Sequence, residues 1–366
     1  MKTILVAFGT RPEAIKMCEL IKELKSRECF RVKVLVTGQH RGMLKQVLLY
    51  ESITPDYDLD IMKIGQSLSY ITAEVLCGAD AVMTELLPDL VLVHGDTSSA
   101  LAVALCAFYR GIPIGHVEAG LRTYDRSSPF PEEFNRAAIA LIAKYHFAPT
   151  SEARDNLLSE KIAPEDSFVT GNTVIDALIK NIDERYTSEY ARLASGKNLI
   201  ILTVHRRENL HKLEGIFRAV KRIVLEHPEV CVIYPVHKNE KINITAKEVF
   251  FSCPRVYLTE TLSAYDFQNL LNLSYIVLTD SGGVQEEASY LGKPTLVLRN
   301  TTERKELLSN SCAKLVGTDE ESIYSAMKEM LDNRDVFLKN MRKADFLGCG
   351  NASKIIADIL EEKLRN

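Results

Sequence analysis

Leu90-Val91-Leu92-Val93-His94-Gly95-Asp96-Thr97 passes from apolar to polar within a single step. A short apolar run of this kind reads as a strand buried on both faces of a parallel sheet, ending where Asp96 begins. In open α/β sheets the carboxyl edge of the strands is where ligands bind. Ile112-Pro113-Ile114-Gly115-His116-Val117-Glu118-Ala119-Gly120 repeats the pattern and delivers Glu118 to the same edge. Pro129-Phe130-Pro131-Glu132-Glu133 adds a third acidic segment. Three acids on one rim point to proton chemistry.

Outward from this stretch, strand-like runs alternate with helix-period segments. The first half offers Ile4–Phe8, Val32–Thr37, Leu90–His94, Ile112–Val117, His146–Ala148 and Ser167–Val169. The second offers Leu199–Val204, Cys231–Val236, Val256–Thr259, Tyr275–Thr279, Thr295–Arg299 and Lys314–Val316. Helical candidates lie between them, among them Arg11–Leu24, Ser67–Leu87, Thr97–Tyr109, Gly215–Glu226 and Gln285–Leu291. Such alternation predicts two α/β domains, each a doubly wound parallel sheet of six strands. The seam falls in the polar region 171–196, giving an N-terminal domain over 1–172 and a C-terminal domain over 173–349. The helix Ala352–Leu364 is able to cap either.

A chain of 366 residues is long enough for two cores. With 46% hydrophobic and 26% charged residues it has the composition of a soluble globular protein. A net charge of −4 argues against nucleic-acid or membrane-surface partners. The eight cysteines form no CxxC pair and read as reduced thiols, neither a disulfide frame nor a zinc site. The opening apolar stretch is too short for a signal peptide, and no run is long enough to span a membrane. A cytoplasmic location is expected.

In the second half, Ser274-Tyr275-Ile276-Val277-Leu278-Thr279-Asp280-Ser281-Gly282-Gly283-Val284-Gln285-Glu286-Glu287 is a strand, a Ser-Gly-Gly turn and a helix. Glycines admit a ligand close to the backbone, and a helix N-terminus offers free amides with partial positive charge, which suits phosphate. Ser281 also fits plain helix capping. Glu287 lies further along the helix, within reach of ribose hydroxyls or as a solvated charge. Cations follow other strands: His205-Arg206-Arg207, Arg299 with Arg304, and, in the first domain, Arg11 in Gly9-Thr10-Arg11-Pro12-Glu13. That last turn is not the GxGxxG dinucleotide fingerprint. The bland alternatives for the acids are equally specific: Asp96 as an N-cap, Glu118 paired with Arg122, Glu132 paired with Arg136 at i,i+4, or Glu133 as the inward carboxylate. His94, His116 and His146 fit packing or hydrogen bonding.

Taken in order, the segments Phe8–Met17, Val93–Thr97, Gly115–Thr123, Pro129–Glu133, Thr170–Asp176, His205–Glu208, Pro235–His237, Asp280–Glu287 and Thr301–Arg304 resemble the non-hydrolysing UDP-N-acetylglucosamine 2-epimerases. The resemblance covers essentially the whole chain. It implies a GT-B-type fold, two Rossmann-like domains facing a central cleft, with the C-terminal helix of about 350–366 packing back on the first. It implies reversible C2 epimerisation of a UDP-sugar by elimination and re-addition of UDP. No nicotinamide or metal is required, and a homodimer supplying polysaccharide precursors is expected. Asp96, Glu118 and Glu132 match the catalytic acids, and Lys16 matches a lysine beside them. Positions matching Arg11, His205, Ser281 and Gly282, next to Gly283, handle the diphosphate. Phe267 matches the uracil neighbour, Glu287 the ribose ligand and Arg304 a group facing the sugar. Gln39, Glu132 and His237 match a regulatory substrate site, two of whose other contacts are replaced here by Gly42 and Gly65. Competing readings are a GT-B glycosyltransferase, an epimerase of a modified UDP-N-acetyl-hexosamine, and a nucleotide-sugar sensor without catalysis.

Overall fold

A computed structural model of the chain describes residues 1–38, 41–63, 65–342 and 344–365. It divides into two compact units, Met1–Ile179 with Phe346–Asn366, and Lys180–Asp345. No helix among the described residues is long and apolar enough to cross a membrane. Each unit is a Rossmann-like, all-parallel sheet wrapped by helices, the pair of domains of a GT-B-type chain.

The first unit holds β1 (Lys2–Phe8), β2 (Phe30–Val36), β3 (Tyr57–Asp58), β4 (Leu90–His94), β5 (Ile114–Val117), β6 (Tyr145–Ala148) and β7 (Ser167–Val169). Their order is β3-β2-β1-β4-β5-β6-β7. Strand order therefore reverses between β1 and β4, and the crevice at such a switch point is the favoured ligand site of the fold. Every residue of β4 and β5 is buried, as apolar runs covered on both faces require. Alternate side chains feed two cores. Ile4, Val6, Phe8, Val34 and Leu92 pack with Met17, Leu20 and Leu24 on one face. Leu5, Ala7, Val91 and Val93 pack with Val75, Met83 and Val103 on the other.

The helix Ala352–Leu364 caps this unit, inserting Ile356, Ala357, Leu360 and Leu364 into the first of those cores. Its N-terminus is held by Asp176, whose carboxylate accepts from Ala352 N at 3.1 Å and Ser353 N at 2.7 Å. That carboxylate does from a distance what an N-cap side chain does locally. Arg27 adds ion pairs to Asp358 at 2.7 Å and Glu361 at 3.1 Å.

The second unit holds β8 (Asn198–Thr203), β9 (Val230–Pro235), β10 (Val256–Thr259), β11 (Ile276–Thr279), β12 (Thr295–Val297) and β13 (Ala313–Leu315), in the order β10-β9-β8-β11-β12-β13. Its switch point lies between β8 and β11, whose registered ends are Thr203 and Thr279. Six strands are found where six are expected. The first sheet gains a seventh, β3, which is formed only by pairing Tyr57 and Asp58 with Leu35 and Val36 of β2. The chain passes from the first unit to the second at 179/180, near the end of the helix Thr173–Asn181, rather than at 172/173.

β5 and β6 place His116 opposite His146 inside the sheet, exposed by 0% and 1%. Burial holds the His116 pKa well below its ordinary 6.5, and burial lowers that of His146 to about 4. The unfolded chain takes up these protons near pH 6.5, whereas the folded chain takes the His146 proton only near pH 4, so protonation favours unfolding. Stability is expected to be intact above pH 6.5 and to decline as pH falls through the window down to about 4. The loss from His146 is on the order of 3 kcal/mol at the bottom of that window. Denaturant midpoints measured across this range check it; a flat profile refutes the assignment of a neutral buried His146.

Candidate active site

In the first unit, two strand ends and two helices converge. Asp96 follows β4, and its carboxylate Oδ2 lies 2.5 Å from Arg136 Nη2. It is not the helix cap: Thr97 occupies that position, and its Oγ1 accepts from Ala100 N at 3.0 Å. Glu118 follows β5 with a φ of +61°, an uncommon left-handed conformation for a residue with a side chain. Such strain persists where the surroundings over-determine it. Here they do. Glu118 is 6% exposed, its Oε1 accepts from Arg136 Nη2 at 3.2 Å, and its Oε2 is paired with Lys16 Nζ. His94 Nε2 stands 3.8 Å from the same Oε2. Arg122 is otherwise engaged, in a two-pronged pair with Glu160 at 2.8 Å on each arm.

The neighbouring turns are fixed from below. His116 Nε2 lies 2.7 Å from the carbonyl oxygen of Gly95, which anchors the residue before Asp96. Asn135 Nδ2 donates to the Asp96 carbonyl oxygen at 2.8 Å. At the end of β1, Glu13 accepts from Gly9 N at 3.0 Å, Thr10 N at 2.7 Å and Thr97 Oγ1 at 2.8 Å. Burial raises its pKa, and the hydrogen bonds it accepts work the other way. Half-buried Arg11 opens the helix Arg11–Lys25, which carries Lys16 inward.

Glu132 and Glu133 begin the helix Glu132–Ile142 with different surroundings. Glu133 is the buried one and accepts from the amides of Thr123 and Tyr124 at 2.9 and 2.7 Å. It fixes the preceding loop, while Glu132 is only half-buried.

In the second unit Asp280 is fully buried at the end of β11 and organises the loop after β8. It accepts from His205 N at 3.0 Å, Arg206 N at 2.9 Å and Asn209 Nδ2 at 2.9 Å. The His205 ring turns Nδ1 to Asp280 Oδ1 at 3.3 Å. Although 39% of its side chain stays accessible, loss of water around the ring lowers the His205 pKa, against the pull of Asp280 and with the help of Arg206 and Arg299. Its other face stacks on His237, with ring centroids 5.9 Å apart.

The helix begins at Gly282, earlier than the Gln285 expected from periodicity. Ser281 occupies the cap position, yet its hydroxyl makes no capping hydrogen bond, so plain capping does not explain it. Its own amide donates to Thr279 Oγ1 at 2.9 Å. Gly282 is required by close approach: a Cβ there would collide with the Arg304 guanidinium, whose Nη2 would lie only 2.8 Å away. Arg304 is buried, held by Glu286 at 2.9 Å and paired with Glu303. Glu303 also binds Arg299 at 2.9 Å. One turn on, Glu287 Oε1 accepts from Gln268 Nε2 at 2.6 Å, and Gln268 Oε1 accepts from Asn181 Nδ2 at 2.8 Å. Phe267 precedes Gln268 on the helix Ala264–Leu273 and packs half-buried against the core. Gly283 is half-buried within the first helical turn.

The structure thus joins Lys16, Asp96 and Glu118 in one cluster, and His205 with His237 in another. It sets Gly282 beside Arg304, with Ser281 at the cap before it. Gln39 lies outside the described residues, and a Cβ at Gly42 or Gly65 would meet only open space. Among the described residues no group of three or more His, Cys, Asp and Glu side chains is arranged to hold a metal ion. Arg136, Glu13, Asp280, Gln268 and Glu303 are the site residues that pattern reading missed. A buried charge amid apolar helix positions was the available signal for Arg136.

The profile of a family described as UDP-N-acetylglucosamine 2-epimerase matches residues 22–361. A UDP-N-acetylglucosamine 2-epimerase from Bacillus subtilis is 48% identical over 98% of this chain and 94% of its own. The Staphylococcus aureus MnaA–UDP structure is 44% identical, covering 100% of this chain and 97% of that one, with a TM-score of 0.96. The Neisseria meningitidis UDP-GlcNAc 2-epimerase bound to UDP-GlcNAc is 41% identical, covering 100% of both chains, with a TM-score of 0.94.

Proposed function

This chain belongs to the UDP-N-acetylglucosamine 2-epimerase family, and we propose that it interconverts UDP-N-acetylglucosamine and UDP-N-acetylmannosamine without releasing the sugar to water. The observation that carries the reading is the meeting of Asp96 and Glu118 on one guanidinium, with Lys16 alongside, at the switch point of the first sheet. The helix N-terminus at Gly282, to which the Ser281 hydroxyl makes no capping bond, supports the nucleotide half of the reading, as do the relatives bound to UDP and to UDP-GlcNAc.

The hydrogen on C2 is not acidic in the resting sugar. Breaking the C1–O bond first sends the electron pair to the departing UDP and leaves C1 cationic. The C2 proton then passes to a carboxylate, and its bond electrons form a C1–C2 double bond, giving a glycal. On return a proton adds to the opposite face of C2 while UDP oxygen rejoins C1. Atoms and electrons balance without an oxidant or a nicotinamide.

Arg11, His205, the Ser281 hydroxyl and the amides of Gly282 and Gly283 stabilise the charge that develops on the diphosphate, often the largest catalytic term. Asp96, Glu118 and Glu132 remove and deliver the proton, each contributing roughly 10²–10⁴-fold. Lys16 balances the charge of Glu118. Phe267 sits by the uracil, Glu287 takes the ribose and Arg304 faces the sugar, while the regulatory contact that Gln39 and His237 match lacks the side chains replaced by Gly42 and Gly65. The same reading makes the enzyme a cytoplasmic homodimer that supplies cell-surface polysaccharide precursors.

Incubation with UDP-N-acetylglucosamine in heavy water, without added NAD, is expected to yield UDP-N-acetylmannosamine carrying deuterium at C2. Epimerised product with ordinary hydrogen at C2 would rule out elimination. Free N-acetylmannosamine would make the enzyme hydrolytic, and sugar transfer to an added acceptor would make it a glycosyltransferase.

A further inference from the structure

Arg136 is 2% exposed, and a single nitrogen, Nη2, meets both Asp96 Oδ2 at 2.5 Å and Glu118 Oε1 at 3.2 Å. We propose that Arg136 is a positioning residue for epimerisation, tying Asp96 and Glu118 into one acid–base unit whose geometry is set before substrate arrives. The inference rests on the reaction proposed above.

Burying a guanidinium is costly, and apolar packing at the same place would stabilise a fold as well or better. This one is retained where two carboxylates from separate strand ends must hold a fixed relation. Every element around them contributes a charged or titratable group. Lys16 comes from the helix Arg11–Lys25, His94 from β4, His116 from β5, and Arg136 from the helix Glu132–Ile142. Both oxygens of Glu118 are thereby claimed, one by Arg136 and one by Lys16, which sustains its left-handed backbone. Asp96 keeps 23% of its side chain accessible and Glu118 only 6%, so Asp96 is the more open of the two. A guanidinium stays charged at any working pH and transfers no proton itself. Its contribution is orientation, to which proton transfer is acutely sensitive, since displacement by about 1 Å can cost 10²-fold.

The test compares the full-length wild type with R136M, R136K, E118Q and R136M/E118Q. Turnover is read by NMR, folding by circular dichroism and nucleotide binding by calorimetry with UDP. R136M is expected to lower kcat about 100-fold, with KM and UDP affinity little changed. Loss of the cation beside Glu118 disfavours the charged form of that carboxyl, so the acid limb of the kcat profile moves to higher pH. R136K, which restores charge without the fork, is expected to regain part of the rate and part of the limb. Adding R136M to E118Q costs little more than E118Q alone, because both changes disable one unit.

A merely structural Arg136 gives another pattern. R136M and R136K would then lose folded protein in parallel, what remains would turn over normally, and the acid limb would stay in place; that result overturns the proposal. So does an additive double variant. If R136M fails to fold, the R136K profile decides, and an unmoved limb refutes the role. A wild-type chain that forms no UDP-N-acetylmannosamine sinks the proposed reaction, whereas an active wild type matched by R136M sinks only the positioning role.

Discussion

Glu118→Gln is expected to slow epimerisation by about 10²–10⁴-fold while UDP still binds. The substitution keeps the shape of the side chain and removes its ability to carry a proton or a charge. It also leaves Lys16 and Arg136, which hold its two oxygens, facing a neutral amide. Nothing in the second unit is altered by it. Solvent deuterium incorporation at C2 and net epimerisation should fall together, because both pass through the same proton transfer. Calorimetry with UDP separates this from a binding defect. A variant that retains more than about a tenth of wild-type turnover would remove Glu118 from the acid–base machinery.

Gly282→Ala is the second large effect. The added methyl collides with the Arg304 guanidinium, which cannot step aside freely while Glu286 and Glu303 hold it. Either Arg304 shifts or the first turn of the helix Gly282–Tyr290 shifts, and each outcome spoils the anion cradle. UDP affinity should fall by about 100-fold, near 2.8 kcal/mol. Gly215→Ala is the control, since a Cβ there makes only an ordinary 3.7 Å contact with Glu320 and sits within a helix. It should bind UDP as the wild type does. Equal binding by the Gly282 variant would place the nucleotide elsewhere.

Much of this was legible in the residues. Fully buried parallel strands announce themselves as short apolar runs, which is why β4, β5 and β11 fall within the expected runs Leu90–His94, Ile112–Val117 and Tyr275–Thr279. β3 did not, because two residues cannot display a period and Tyr57 becomes a strand only through β2. Capping propensity distinguishes poorly between neighbours, so Asp96 and Thr97 were interchangeable until the hydrogen bond to Ala100 assigned the cap to Thr97. Arg136 was hidden for a different reason. Its spacing from Glu132 invites a local helix pair, and nothing local foretells Asp96 and Glu118, which reach it by sheet order from distant sequence. Likewise, nothing local to Asp280 foretells that it gathers the backbone of His205 and Arg206.

The anchoring of Ala352 and Ser353 by Asp176 bears on how the protein is made. The ribosome completes Lys180–Asp345 before it begins the segment that buries the flank of Met17, Leu20 and Leu24. The half translated first is thus finished last, because Ile356, Ala357, Leu360 and Leu364 join its core only at the end of synthesis. Apolar surface that is still waiting for its cover in that interval favours aggregation.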